Sequence, residues 1–293
     1  MSQSNHNADC VGPNERYKFV DDLTVLEIVN LLTIGLTSYN LKQHVASDIP
    51  EHGQFIPAEN LQSQTYLNTI NDWTKNQKMK INENKTKIMI FNPTRNYQFT
   101  TRIQLNNINV DVVKETKLLG TYISDDLKWD TNTTMLVKKA NARLQLLRKV
   151  ASFSSDKSDL KLIYTIFVRS ILENSSTVWH NLISQENKDD LERVQKCAMK
   201  IILKNKYKDY QTALNELELL TLEERRETNS KKFAKKNVKC DKMKHNFEEN
   251  PKTHIMKTRH SELFDVTFAH KVRLQNSPII YMQKLLNEEK MVD

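Results

Sequence analysis

Glycine is nearly missing from this sequence, with four residues in a chain of 293, and proline contributes six. β-Sandwiches, doubly wound sheets and glycine-rich phosphate loops all need backbone positions that glycine fills at little cost, so the composition disfavours them. Cysteine is also sparse. Cys10, Cys197 and Cys240 are odd in number and far apart, which implies no disulfide framework and points to a reducing compartment. No apolar run approaches the length of a bilayer-spanning helix, and the stretch 1–7 has no apolar core of the kind a signal peptide carries. The expectation is a soluble, intracellular chain with no membrane partner and no assignable oligomeric state.

The rest of the composition is mostly helix-forming and charged. Hydrophobic residues make up 38% and charged residues 27%, which fits a folded protein with many exposed helix faces. Lys and Arg number 44 against 36 Asp and Glu, a formal net charge of +8. A positive excess draws polyanions, so nucleic acid or an anionic surface joins the partner classes.

Residues 1–15 are polar and unpatterned, and we expect them to be disordered. Tyr17 to Val20 and Leu23 to Leu26 read as two short apolar strands interrupted by Asp21-Asp22. Residues 31–57 carry Gly35, Pro50, Gly53 and Pro57 and read as a loop-rich insertion. A helix is expected from near Asn60 to Asn76, with Leu67, Ile70 and Trp73 on one face. Ile88 to Phe91 reads as a buried strand. Ile103 and Leu105, then Ile108, Val110 and Val112, alternate about Asn106-Asn107 as a hairpin does. Lys117 to Ile123 reads as one more strand.

From Thr131 the pattern becomes helical. One apolar stripe runs Leu136, Ala140, Leu144, Leu147, Ala151; a second Leu160, Ile163, Phe167, Ile171; a third Leu191, Val194, Ala198, Ile201. Tyr210, Ala213, Leu214 and Leu217 suggest a fourth helix, and Thr221 with Glu224 is a capping-box signature for a fifth. Residues 238–293 are less periodic, with an apolar cluster at 278–282. The expected organisation is a β-containing part over 16–128, a helical part over 129–237 and an extension over 238–293.

Two adjacent carboxylates between apolar strands repel one another and are costly to bury. They make sense around a hard divalent cation such as Mg²⁺, whose remaining positions water and phosphate oxygens can fill. A solvated turn or N-cap is the other reading of the dipeptide. The flanks favour the first. Phe19-Val20-Asp21-Asp22 resembles the catalytic motif of reverse transcriptases. Trp73 with Met79 to Lys87, and then Lys117-Leu118-Leu119-Gly120, are similar to the next blocks of the non-LTR, jockey-like class. Trp129 and the stretches around Ser170–Glu173, Val178–His180 and Leu191–Lys196 resemble the region C-terminal to the polymerase core in that class.

The resemblance spans most of residues 17–237. It implies an α+β fold in which a partial polymerase palm (β-hairpin, helix, small antiparallel sheet) precedes a thumb-like helical bundle. It also implies an RNA-directed DNA polymerase using Mg²⁺, an RNA template and a DNA primer. Asp21 and Asp22 would bind metal, Lys85 would sit near the departing pyrophosphate, and Leu118, Leu119 and Gly120 would shape a turn at the primer end. Lys85 as a plain surface lysine, and 118–120 as an ordinary strand end, are the competing readings.

The family's first metal-binding aspartate and its fingers would precede this motif, yet only twenty residues come before Asp21, and Asp9 lies in polar sequence. The chain is therefore expected to be truncated and inactive alone. Lys138, Lys139, Arg143, Arg148 and Lys149 mark one basic helix face, Lys196, Lys200 and Lys204 another, and Lys231, Lys232, Lys235 and Lys236 a third. Such rows track a phosphate backbone or form a solvated face. His245, His254, His260, His270 and Cys240 lack paired zinc-ligand spacing. A nucleic-acid-binding helical module without catalysis, and a helical protein-interaction remnant, are the rival classes.

Overall fold

The computed structural model describes residues 16–19, 22–25, 53–57, 61–91, 98–153, 156–241, 243–247, 263–264, 266 and 272–292. It is a mixture of helices and small two-stranded sheets, in keeping with an α+β class. The chain divides into two compact units. One comprises Met1–Thr116 and Ser124–Asp126, the other Lys117–Ile123 and Leu127–Asp293.

In the first unit, strands β1 (Arg16–Phe19) and β2 (Asp22–Val25) pair antiparallel, with Phe19 opposite Asp22. Strand β3 (Gly53–Ile56) runs parallel to β5 (Gln98–Thr101), and the Thr101 hydroxyl donates to the Ile56 carbonyl at 2.8 Å. Strand β4 (Lys87–Ile88) runs parallel to β8 (Asp111–Val112). Strands β6 (Gln104–Leu105) and β7 (Ile108–Asn109) form the Asn106-Asn107 hairpin. Both asparagines have positive φ, +52° and +66°, the left-handed values such a turn demands.

Helix α1 (Gln62–Asn76) lies on this hairpin. The Gln64 side chain forms two hydrogen bonds with the Gln104 backbone, at 2.8 and 2.9 Å, and Asn71 bonds Asn106 at 2.8 Å. Two expectations need correcting here. The apolar run 88–91 pairs only over Lys87–Ile88, because its partner β8 is itself two residues long, and Phe91 is exposed. The sheets are separate pairs, two of them parallel, where a small antiparallel sheet is expected.

Strands β9 (Glu115–Leu118) and β10 (Thr121–Ser124) pair across Leu119-Gly120, so the run 117–123, which reads as one strand, is two strands and a turn. The helical unit then begins with α2 (Asp130–Phe153), whose stripe of Leu136, Ala140, Leu144, Leu147 and Ala151 is buried throughout. Helix α3 (Lys157–Ile163) passes through a π-helical stretch, Tyr164–Arg169, into α4 (Ser170–Leu172). The wider turn shifts the buried face to Leu160, Tyr164, Val168 and Leu172. Phe167, placed inside by a uniform 3.6-residue period, is 46% exposed.

The remaining elements are α5 (Ser176–Trp179), α6 (Gln185–Leu203), α7 (Tyr210–Glu216), α8 (Leu222–Val238), α9 (Val272–Gln275) and α10 (Pro278–Val292). Helix α6 packs Leu191, Val194, Ala198 and Met199 against α2, making one continuous core. The capping box is present: Thr221 Oγ1 accepts from the Glu224 backbone at 3.2 Å, and the Glu224 carboxylate accepts from Thr221 N at 2.9 Å. A smaller cluster of Ala234, Phe247, Phe264, Met282 and Leu286 joins α8 to α10.

One set of polar groups inside the helical core is tied together. The Tyr164 hydroxyl donates to Gln195, whose amide donates to the Tyr210 hydroxyl at 2.9 Å and to the Leu220 carbonyl at 3.0 Å. Tyr210 donates in turn to Glu192, which also accepts from Leu222 N at 3.2 Å. Trp179 and His180 are buried, and Arg226 Nε donates to His180 Nδ1 at 3.2 Å.

Truncating Leu147 to Ala, at a position with no exposed surface, is expected to cost about 2–5 kcal/mol. Thr221→Ala, which removes the N-cap, is expected to cost about 1 kcal/mol. Urea unfolding followed by circular dichroism checks both sizes and their order.

Burial, reinforced by the Arg226 and Lys188 cations, holds His180 down from its ordinary value of 6.5 to about 4. Protonation would also remove the acceptor that Arg226 uses. Between those two pH values the unfolded chain carries a proton on this side chain that the folded chain refuses, so stability falls as pH drops and levels off below about 4. The loss amounts to about 3 kcal/mol. Thermal melts from pH 7 to about pH 4 should show a shallower decline for His180→Gln than for the unaltered chain.

Candidate nucleic-acid interface

The β9–β10 turn has two successive residues at positive φ. Leu119 has φ +48° and Gly120 φ +89°, the left-handed pair of a two-residue hairpin turn. Gly120 adopts this at no steric cost; Leu119 does not. The Leu119 side chain is half exposed and Leu118 partly buried. A Cβ added at Gly120 would lie 3.8 Å from Asn174 Nδ2, which places the turn beside the end of α4.

Strand β10 fastens this turn to α2. Thr121 is buried and Ile123 packs on the helical core. The Tyr122 backbone N–H donates to Asn132 Oδ1 at 3.1 Å, and Asn132, in the first turn of α2, is itself buried. Further along the helix, Lys139 Nζ stands 6.0 Å from the centre of the Tyr122 ring, at the outer edge of cation–π range. The structure therefore brings Leu118, Leu119 and Gly120 into one assembly with the first half of α2.

The solvent side of α2 is cationic without compensation. Lys138, Lys139, Arg143, Arg148 and Lys149 are all exposed. From residue 131 to 153 the helix contains no Asp or Glu, and none of the five cations forms an ion pair among the described residues. Helix α8 differs. Lys231 pairs with Glu227 at 2.8 Å and Lys235 with Glu289 at 2.7 Å, while Glu223 is bound by Lys188 at 2.7 Å. The basic rows read from the sequence are thus unequal: the one on α2 is open to a polyanion and the one on α8 is partly neutralised from within.

The other expected site residues stand in the first unit. Asp21 lies outside the described residues, and of Asp22 the structure describes only the backbone, at the first position of β2. Lys85 is exposed at the end of a 3-10 turn, Glu83–Lys85, where Asn82 Oδ1 accepts from its backbone N–H at 3.2 Å. That turn is anchored to the hairpin through Glu83, which accepts from Asn106 at 2.9 Å; this bond holds the Glu83 carboxyl below its ordinary range. His254, His260 and His270 fall outside the described residues, and His245 is exposed. Among the described residues no three His, Cys, Asp or Glu side chains gather to hold a metal, and no helix is long and apolar enough to cross a membrane.

Comparison of the chain with protein-family models, with curated proteins and with solved structures finds no match.

Tyr122 and Asn132, which join the turn to the helix, escape sequence reasoning, because a lone tyrosine and a lone asparagine carry no pattern. The acid-free run 131–153 is the readable signal for the unpaired face.

Replacing Leu119 with Asn, a residue that tolerates positive φ, is expected to raise stability by about 0.5–1 kcal/mol. Thermal denaturation of the two chains side by side tests it, and a loss of stability would mean that the leucine side chain makes a contact worth more than the backbone strain.

Proposed function

We propose that the chain is part of an RNA-directed DNA polymerase of the non-LTR retrotransposon class. In this reading the first unit is a remnant of the palm and the helical unit is a thumb-like element that grips a template–primer duplex. One observation supports it most: the unpaired cations Lys138, Lys139 and Arg143 stand on the helix to which the Leu119-Gly120 turn is fastened. A phosphate backbone would meet the cations while the turn presents an exposed leucine to the strand end. Lys and Arg contacts of this kind gain affinity by releasing condensed counterions.

Asp21 and Asp22 are proposed as the carboxylates for Mg²⁺, and Lys85 as a cation for the departing pyrophosphate. Two carboxylates adjacent in sequence suit a hard divalent cation. Bound there, the ion would offset negative charge on substrate phosphates. Two aspartates adjacent in sequence do not by themselves enclose a pair of ions, so the isolated chain is proposed to bind template–primer without extending it.

Fluorescence anisotropy with an RNA–DNA duplex tests the binding half. Lys138→Gln/Lys139→Gln/Arg143→Gln should lower the slope of log affinity against log salt by about 2 to 3, as expected for three lost phosphate contacts. An unchanged slope would remove α2 from the interface. Primer extension with Mg²⁺ tests the other half. Extension by the unaltered chain, abolished in Asp21→Ala/Asp22→Ala, would show that the acidic pair is catalytic and the chain sufficient.

A further inference from the structure

We infer that the C-terminal half of α6 and the turn after it form a second polyanion-binding row, distinct from that on α2, which takes the backbone of a single nucleic-acid strand. Residues 193–208 contain Arg193, Lys196, Lys200, Lys204, Lys206 and Lys208 and no Asp or Glu. Arg193 is committed to Asp190 at 2.6 Å, while none of the five lysines forms an ion pair among the described residues. All five are exposed. Attraction to the negative end of the helix accounts for a cation or two in the last turn. It does not account for a run of this length with no carboxylate.

Two rungs of the row are held in place by aromatic rings. Lys196 Nζ lies 4.9 Å from the centre of the Tyr210 ring, and Lys200 Nζ lies 5.4 Å from that of Tyr207. A ring beneath each stem restricts the side chain before any ligand arrives, so less rotamer freedom is lost on binding. Tyr210 is itself fixed through Glu192 and Gln195, which makes its position part of the core. Lys196 and Lys200 stand four residues apart on α6, a rise of about 6 Å, and Lys204 follows at the helix C-cap, where φ is +49°. The rise from Lys196 to Lys200 is close to the separation of successive phosphates along one strand.

The same face argues against the other polyanion surfaces. The apolar residues of α6, among them Leu191, Val194, Ala198, Met199, Ile202 and Leu203, are buried, so the row has none of them to insert into a bilayer. An acidic protein segment would match the sign of the charge but has no reason to repeat at this interval. This inference does not rest on the polymerase reading, since it uses a different helix and asks only for one strand.

The test uses the full chain and a short, unstructured, labelled RNA, with anisotropy measured across a salt series. Lys196→Gln/Lys200→Gln/Lys204→Gln is expected to weaken binding by about tenfold or more at low salt and to lower the salt slope by about 2. The matching Lys→Arg triple variant should retain binding, which separates loss of charge from loss of fold. Saturation should show two strands per chain for the unaltered protein. It should show one for this variant and one for Lys138→Gln/Lys139→Gln/Arg143→Gln. Tyr207→Leu should weaken binding a few-fold with the slope unchanged. Equal affinity and slope in the Gln variant would overturn the inference, as would a loss confined to phosphatidylserine vesicles. An α2 variant that changes nothing while the α6 variant loses its strand would sink the α2 interface and leave this row standing.

Discussion

The seam between α2 and α6 organises the helical unit. Leu136, Ala140, Leu144 and Leu147 on one helix, and Leu191, Val194, Ala198 and Met199 on the other, form a core that α3, α5, α7 and α8 enlarge without interrupting. Burial of these side chains supplies most of the stabilisation available to a domain this poor in extended sheet. It also decides the surface. Once the inner stripe of each helix is committed, the positions left outward are those where the cations fall, and over residues 131–153 and 193–208 no carboxylate shares them.

The interior polar groups follow a different logic. Tyr164, Gln195, Tyr210 and Glu192 form a chain of hydrogen bonds that crosses from the π-helical stretch to α7 and the start of α8. Burial, with Glu192 adding to it at Tyr210, pushes both tyrosine hydroxyls well above their usual range, so they remain neutral donors throughout ordinary pH. His180 is likewise held neutral and accepts from Arg226. The tyrosines, Gln195 and Glu192 satisfy one another where water is scarce, and each would be costly if its partner were removed, whereas Nη1 and Nη2 of the buried Arg226 have no hydrogen-bond partner among the described residues.

Much of the helical unit was legible because the periodicity of α2 and α6 is regular. Leu136 to Ala151 and Leu191 to Ala198 are buried as their spacing implies, and Thr221 with Glu224 forms the capping box that the tetrad spells. Legibility failed where the backbone departs from standard repeats. The π-helical stretch moves Phe167 outward and brings Tyr164 and Val168 inward, a change of register that no 3.6-residue count reveals. The turn at Leu119-Gly120 hides inside an apolar run because leucine is a poor signal for positive φ, whereas Asn106-Asn107 announces itself. Of the candidate site, the cations could be read off the chain, but not which were neutralised. Lys235 and Lys138 look alike in sequence, and only the fold puts Glu289 beside the first, while among the described residues the second forms no ion pair. The acidic pair, the most chemically pointed feature of the sequence, falls largely outside the described residues.

The hydrogen-bond chain through Gln195 has a mechanical consequence. A pair of helices held by leucines alone can slide by a turn and repack, since one apolar side chain replaces another at small cost. Gln195 forbids this. A slip of α6 along its axis would present an aliphatic residue to the Tyr164 hydroxyl and strand the amide against hydrocarbon, leaving donors and acceptors unpaired on both sides. Helix α6 is therefore indexed, like a shaft with a key. Because it is indexed, the offset between the lysines on its outer face and the α3–π–α4 segment that carries Tyr164 has one value. The helical unit behaves as a gauge of set length, one that holds charged positions at a fixed spacing whatever lies against them.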